Sequence, residues 1–184
     1  MRALGLIFAI TFAGFAHADD FALRSGHSFE RYGQAVMRDC EKGENLPLDQ
    51  RPDGYCGHNY VVPYFTTQAE REPYRIVISE GQLHEAKSPH RAVDDGDYFF
   101  VMDGAGNFYF FTKDGKAPVH HSSFFSGEPI PAGGDVHVQD DHLTAIGYYT
   151  GHYIMNKRIL GNAVDALKAD GVDTDNLKDL GGHK

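Results

Sequence analysis

The stretch Asp97-Tyr98-Phe99-Phe100-Val101-Met102, Asp103-Gly104-Ala105-Gly106, Asn107-Phe108-Tyr109-Phe110-Phe111-Thr112 decides the fold. Two aromatic and β-branched runs flank four residues that favour a turn. That pattern predicts a β-hairpin. Working outward, Tyr74 to Ile78 predicts a strand, followed by a turn at Glu80-Gly81 and a return over Gln82 to Ala86. Val136 to Val138 and Leu143 to Ile146 flank Asp140-Asp141 and predict a second hairpin. Val119 to Phe125 and Tyr60 to Thr66 also read as strands, the latter interrupted by Pro63.

The flanks read as helix. Ser28 can cap a short helix over 28–42, with Phe29, Tyr32, Val36 and Met37 on one face and Gly43 as its stop. Asn156 can cap a second helix. Its stripe is Ile159, Leu160, Ala163, Val164 and Leu167, and Gly171 ends it. The expected class is therefore α+β: an antiparallel β meander with a short N-terminal helix and a C-terminal helix packed on it.

The chain has 184 residues and a net charge of −9, with no basic cluster. Nucleic acid is excluded as a partner on that ground, because phosphate binding needs a Lys/Arg surface. Met1-Arg2, an apolar run and Ala16-His17-Ala18 read as a secretory signal peptide over residues 1–18. No later segment is long and apolar enough to span a bilayer. The expected location is secreted or periplasmic, with no membrane role after cleavage. Residues 19–73 then form an N-terminal helix and loop, and 74–184 the β-rich module, within one globular domain. Cys40 and Cys56 fall in the exported part, so a disulfide closing a Pro/Gly-rich loop is expected over a zinc pair or a catalytic thiol.

The densest reactive groups are His120-His121-Ser122-Ser123 and Gly151-His152-Tyr153. In a strand, His121 and Ser123 share one face and His120 and Ser122 the other. His121, Ser122, Ser123, His152 and Tyr153 are the candidate catalytic set. An imidazole would be the general base, a serine the nucleophile or anchor, and Tyr153 a donor. Hydrogen-bonded structural roles are the competing reading. No spaced metal motif exists, so no metal and no cofactor are expected, beyond a pairing of His121 with His152 that would be incomplete alone.

The motifs Tyr98 to Asp103, Phe108-Tyr109, His120 to Gly127, Ala132-Gly133-Gly134, Leu143 to Ile146 and Gly151-His152-Tyr153 occur in order. Through them, 74–180 resembles the C-terminal module of plant IQM proteins, the IQ-motif-containing calmodulin-binding family. It also resembles domains of some bacterial Rhs-type polymorphic toxins. The cysteine loop lies outside this resemblance. The chain shows no IQ motif, so calmodulin is not implied. The toxin setting implies an exported, enzyme-like effector of unknown substrate. The plant setting implies the alternative, a non-catalytic module binding an unknown small molecule or protein.

Overall fold

A computed structural model describes Arg24, Gly26, 28–113 and 118–182. The expected signal peptide lies outside the described residues. Among the described residues, eight strands form one sheet: β1 (Arg75–Ser79), β2 (Gln82–Glu85), β3 (Ser88–Ala92), β4 (Gly96–Met102), β5 (Phe108–Thr112), β6 (Ala132–Gln139), β7 (His142–Gly147) and β8 (Lys178–Gly181). Their order is β3-β2-β1-β5-β4-β6-β7-β8, and β2 also pairs with β7. The pairing Gln82↔His142 therefore closes six strands into an antiparallel barrel, leaving β3 and β8 as additions outside the ring.

The expected α+β meander is thus overturned. Closure needs one contact between distant strands, and it removes the exposed edges an open meander would leave. Both predicted hairpins form. Phe99 faces Phe111 and Val101 faces Tyr109 across the first, and Val136 faces Ile146 across the second.

The aromatic runs of β4 and β5 are apolar on both faces because both faces are covered. Phe100, Met102, Phe108 and Phe110 point into the barrel with Ile76, Leu83, Val136, Leu143 and Ile146. Val101, Tyr109 and Phe111 point outward into a second cluster with Ala35, Met37, Phe124, Ile130 and Tyr153. The covering layer combines the N-terminal segment 28–66, here termed the strap, with Phe124, Ile130 and Tyr153 from the later loops.

The strap is not the helix expected over 28–42. Gly33 takes a positive φ of 92°. Beyond it Ala35 and Met37 are buried while Val36 is exposed, the alternation of an extended chain. Their backbones form bridges, Ala35↔Ile130 and Met37↔Tyr153. Tertiary pairing overrides the helical spacing. The strand expected over Tyr60 to Thr66 is likewise absent, and that segment runs without regular structure.

Short helix α1 (Gln68–Arg71) carries a capping box between Thr67 and Glu70. Helix α2 (Lys157–Ala169) starts where the sequence reading placed it, with the Asn156 side chain accepting from the Ile159 N–H. Leu160, Ala163, Ala166 and Leu167 of α2 join the barrel core. Among the described residues, no helix is long and apolar enough to cross a membrane.

Candidate functional site

The site lies where the strap meets the His-Ser-Ser and Gly-His-Tyr segments. The strap supplies Glu44, His58 and Tyr60. Two devices hold this irregular loop in place. The Cys40–Cys56 disulfide forms as expected. Arg51 donates to four backbone carbonyls, those of Glu44, Leu46, His58 and Tyr60. One guanidinium thus satisfies a loop that has no ladder of its own.

The expected strand over Val119 to Phe125 is a 3-10 turn at His121–Ser123. Its residues therefore do not alternate between two faces. His120 and His121 both line a cavity of about 430 Å³, together with His58, Tyr60, Phe99, Phe111, Lys113, Gly151 and His152. Ser122 and Ser123 are fully buried behind it.

His152 is the centre of the arrangement and is nearly fully buried. Its Nδ1 lies 3.1 Å from Ser122 Oγ and 2.8 Å from Glu44 Oε2. The serine is hydrogen-bonded to this nitrogen, and the carboxylate makes an ion-pair contact with it. Tyr64 donates to the other Glu44 oxygen at 3.3 Å. Burial would push the Glu44 carboxyl up, but His152, Ser122 and His120 together hold it below its ordinary value. An ionised carboxylate only accepts. The Ser122 hydroxyl therefore turns towards Glu44, and the His152 proton sits on Nδ1. The other ring nitrogen, Nε2, is hydrogen-bonded to His58 Nε2 at 3.2 Å.

His58, His120 and His152 form a stacked group. The His58–His120 and His120–His152 ring centroids are each 4.6 Å apart. The Tyr60 hydroxyl lies 2.8 Å from His120 Nε2 at the rim. Burial, then the neighbouring His152 and His58, lower the His120 pKa to about 4.

His121 is held differently. Its Nε2 donates to the Gly134 carbonyl at 2.9 Å, and burial lowers its pKa to about 3. Position 134 requires glycine, because a Cβ there would collide with the Gly147 carbonyl on the neighbouring strand.

The five expected catalytic residues therefore separate. His152 lines the cavity with its Nε2 beside His58, and His121 lines it with its nitrogen committed to the Gly134 carbonyl. Ser123 Oγ accepts from the His120 N–H at 3.0 Å. The Tyr153 hydroxyl donates to the Glu128 carbonyl at 2.9 Å, in a side chain 1% exposed. Burial raises the Tyr153 pKa well beyond its ordinary value. The sequence reading missed Glu44 and Tyr60. His58 lies outside the candidate set read from the sequence, and His120 was set on the opposite face from His121. The abundance of histidine, eleven in the chain, was the available signal; spacing carried none, since His58 and His152 are 94 residues apart.

A family model for the middle domain of IQ motif-containing proteins matches residues 70–159. Two Arabidopsis thaliana proteins, IQ domain-containing proteins IQM4 and IQM1, are each 30% identical over 142 residues. The alignments cover 76% of this chain and 26% and 28% of those proteins. The chain resembles the plant IQM proteins. IQM3 of the same plant is 29% identical over 185 aligned residues, covering 92% of this chain and 40% of IQM3. That alignment reaches into the N-terminal third, which the sequence reading left outside the resemblance. The chain spans about a quarter to two fifths of the length of these IQM relatives. No solved structure matches it.

The toxin and effector reading does not stand: the relatives are plant IQ domain-containing proteins. The IQM-matching segment carries His120, His121, Ser122 and His152, while Glu44, His58 and Tyr60 precede it.

Proposed function

We propose that this chain is a non-catalytic binding module whose working surface is the histidine-lined cavity. One observation carries the reading: Ser122 and Glu44 both meet the same nitrogen of His152. A nucleophilic relay needs the carboxylate on one imidazole nitrogen and the serine on the other. Here the serine is buried away from the cavity, and its hydroxyl helps orient the ring. His152 Nε2, Tyr60 and the Phe99 and Phe111 rings offer a ligand both polar and apolar contacts.

The relatives' names point the same way, since they describe proteins containing an IQ domain. Calmodulin, set aside on the sequence, returns as a candidate partner for a longer protein of that kind. The Cys40–Cys56 bridge supports an oxidising, secreted or periplasmic setting for this copy.

The test is turnover. Purified chain is incubated with 4-nitrophenyl acetate, 4-nitrophenyl phosphate and a 4-nitrophenyl glycoside, as wild type and as His152→Ala. The binding reading expects no release above buffer in either. Release that disappears in His152→Ala would show a catalytic site instead. Calmodulin with calcium, added to ¹⁵N-labelled chain, tests the protein-partner arm by shifts in the His58, His120 and His152 ring signals.

A further inference from the structure

We infer that His58, His120 and His152 together bind one late first-row divalent cation of the zinc class. The inference deepens the binding reading and rests on it. Each of the three rings offers a nitrogen, and the three nitrogens lie within 4.8 Å of one another. The His58 and His152 Nε2 atoms are 3.2 Å apart. With zinc–nitrogen bonds of about 2.05 Å, two ligands of a tetrahedral ion stand roughly 3.3 Å apart. That edge of the site is already at metal-binding length.

The widest separation must close by about 1.5 Å to reach the same length. The fold permits this on the side where it is needed. His58 stands on the irregular strap and His120 on the extended residue before the 3-10 turn, while His152 is fixed from behind. Binding turns the stacked His58 and His120 rings edge-on to the ion.

The surroundings suit a cation. Ligating histidines characteristically have their second nitrogen engaged by a carboxylate, carbonyl or hydroxyl, which sets the tautomer and raises ligand basicity. Ser122 and Glu44 do this for His152. Glu44 also brings a fully buried negative charge to the back of the group, where a divalent ion offsets it. Three imidazoles favour zinc, copper or nickel over calcium and magnesium, which need oxygen ligands. The open fourth position faces the cavity. There an anionic donor of the cavity's ligand, a carboxylate or thiolate, can complete the shell.

The full chain is stripped with chelator and titrated calorimetrically with zinc chloride alone, with calcium and magnesium chlorides as controls. One zinc per chain is expected, and X-ray absorption should show three imidazole nitrogens at about 2.0–2.1 Å. His58→Ala and His120→Ala should each weaken binding about a hundredfold. Both side chains are partly exposed, so the fold should survive, as circular dichroism checks. His137→Ala and His142→Ala, at exposed histidines beyond the site, should change nothing. No zinc uptake, or uptake that survives His58→Ala, overturns the inference. Either result leaves the binding reading standing, because that reading falls only to His152-dependent turnover.

Discussion

The barrel and the strap are held by different physics. The barrel is a hydrogen-bonded ring with an apolar interior drawn from all six of its strands. The strap has almost no regular structure. It is held by two isolated bridges, one disulfide and the carbonyl contacts of Arg51. Yet the site needs both. The barrel side supplies His120, Ser122 and His152; the strap supplies Glu44 and His58. The strap's outer cluster is the reason it docks at all. Without it, the apolar outer faces of β4 and β5 would meet water.

This division gives unequal consequences to substitution. The largest effect falls on the barrel. Phe100 is fully buried at its centre, so Phe100→Ala should cost about 3–5 kcal/mol. Chemical denaturation should show the strap and barrel lost together. A barrel that unfolds while the strap signals persist would break the comparison.

Next is the strap's staple. Cys40 and Cys56 are 16 residues apart, and removing the bridge by Cys40→Ser with Cys56→Ser should cost about 3 kcal/mol in the chain-entropy model. The loss should be local. Hydrogen exchange should rise across 40–62 while β4 and β6 stay protected. Zinc affinity should fall as well, because Glu44 and His58 lose their anchor.

Acid comes third. His121 and His120 have folded pKa values of about 3 and about 4, against an ordinary 6.5. Both states are neutral above that ordinary value. As pH falls below 6.5, the unfolded chain takes up protons that the folded one refuses, so stability declines down to about 3. The depressed Glu44 carboxyl adds loss only below its ordinary 4.5. Thermal melts between pH 6.5 and 4.5 should therefore isolate the histidines, and His121→Gln should flatten that limb. A wild-type melting temperature that is constant over this range would contradict the burial of His121.

The smallest effect is at the rim. Tyr60→Phe removes only the hydroxyl near His120 and should cost about 1 kcal/mol or less. It should shift the His120 ring signals while leaving the melt nearly unchanged.

The same division explains what the sequence revealed. Strand positions in β1, β4, β5, β6 and β7 followed from local β-branched and aromatic runs, and β2 from the turn at Glu80-Gly81. The Asn156 cap announced α2. Barrel closure did not follow, because one pairing between β2 and β7 leaves no periodic trace. The strap misled for a specific reason: Phe29, Tyr32, Val36 and Met37 sit at helical spacing, yet the chain is extended and buries Ala35 beside Met37. In the site, His152 and its neighbours were legible as a cluster of reactive types. Their roles were not, because the tautomer of His152 depends on Glu44, more than a hundred residues earlier. Ser122 illustrates the point. A nucleophile and a ring-orienting hydroxyl are the same residue type, distinguished only by which nitrogen they meet.

The most direct measurement is therefore the tautomer of His152, read by long-range ¹H–¹⁵N correlation on metal-free chain near neutral pH. A proton on Nδ1 and a bare Nε2 facing the cavity are expected, with that preference lost in Glu44→Gln. A proton on Nε2 in the wild type, unaffected by Glu44→Gln, would contradict it.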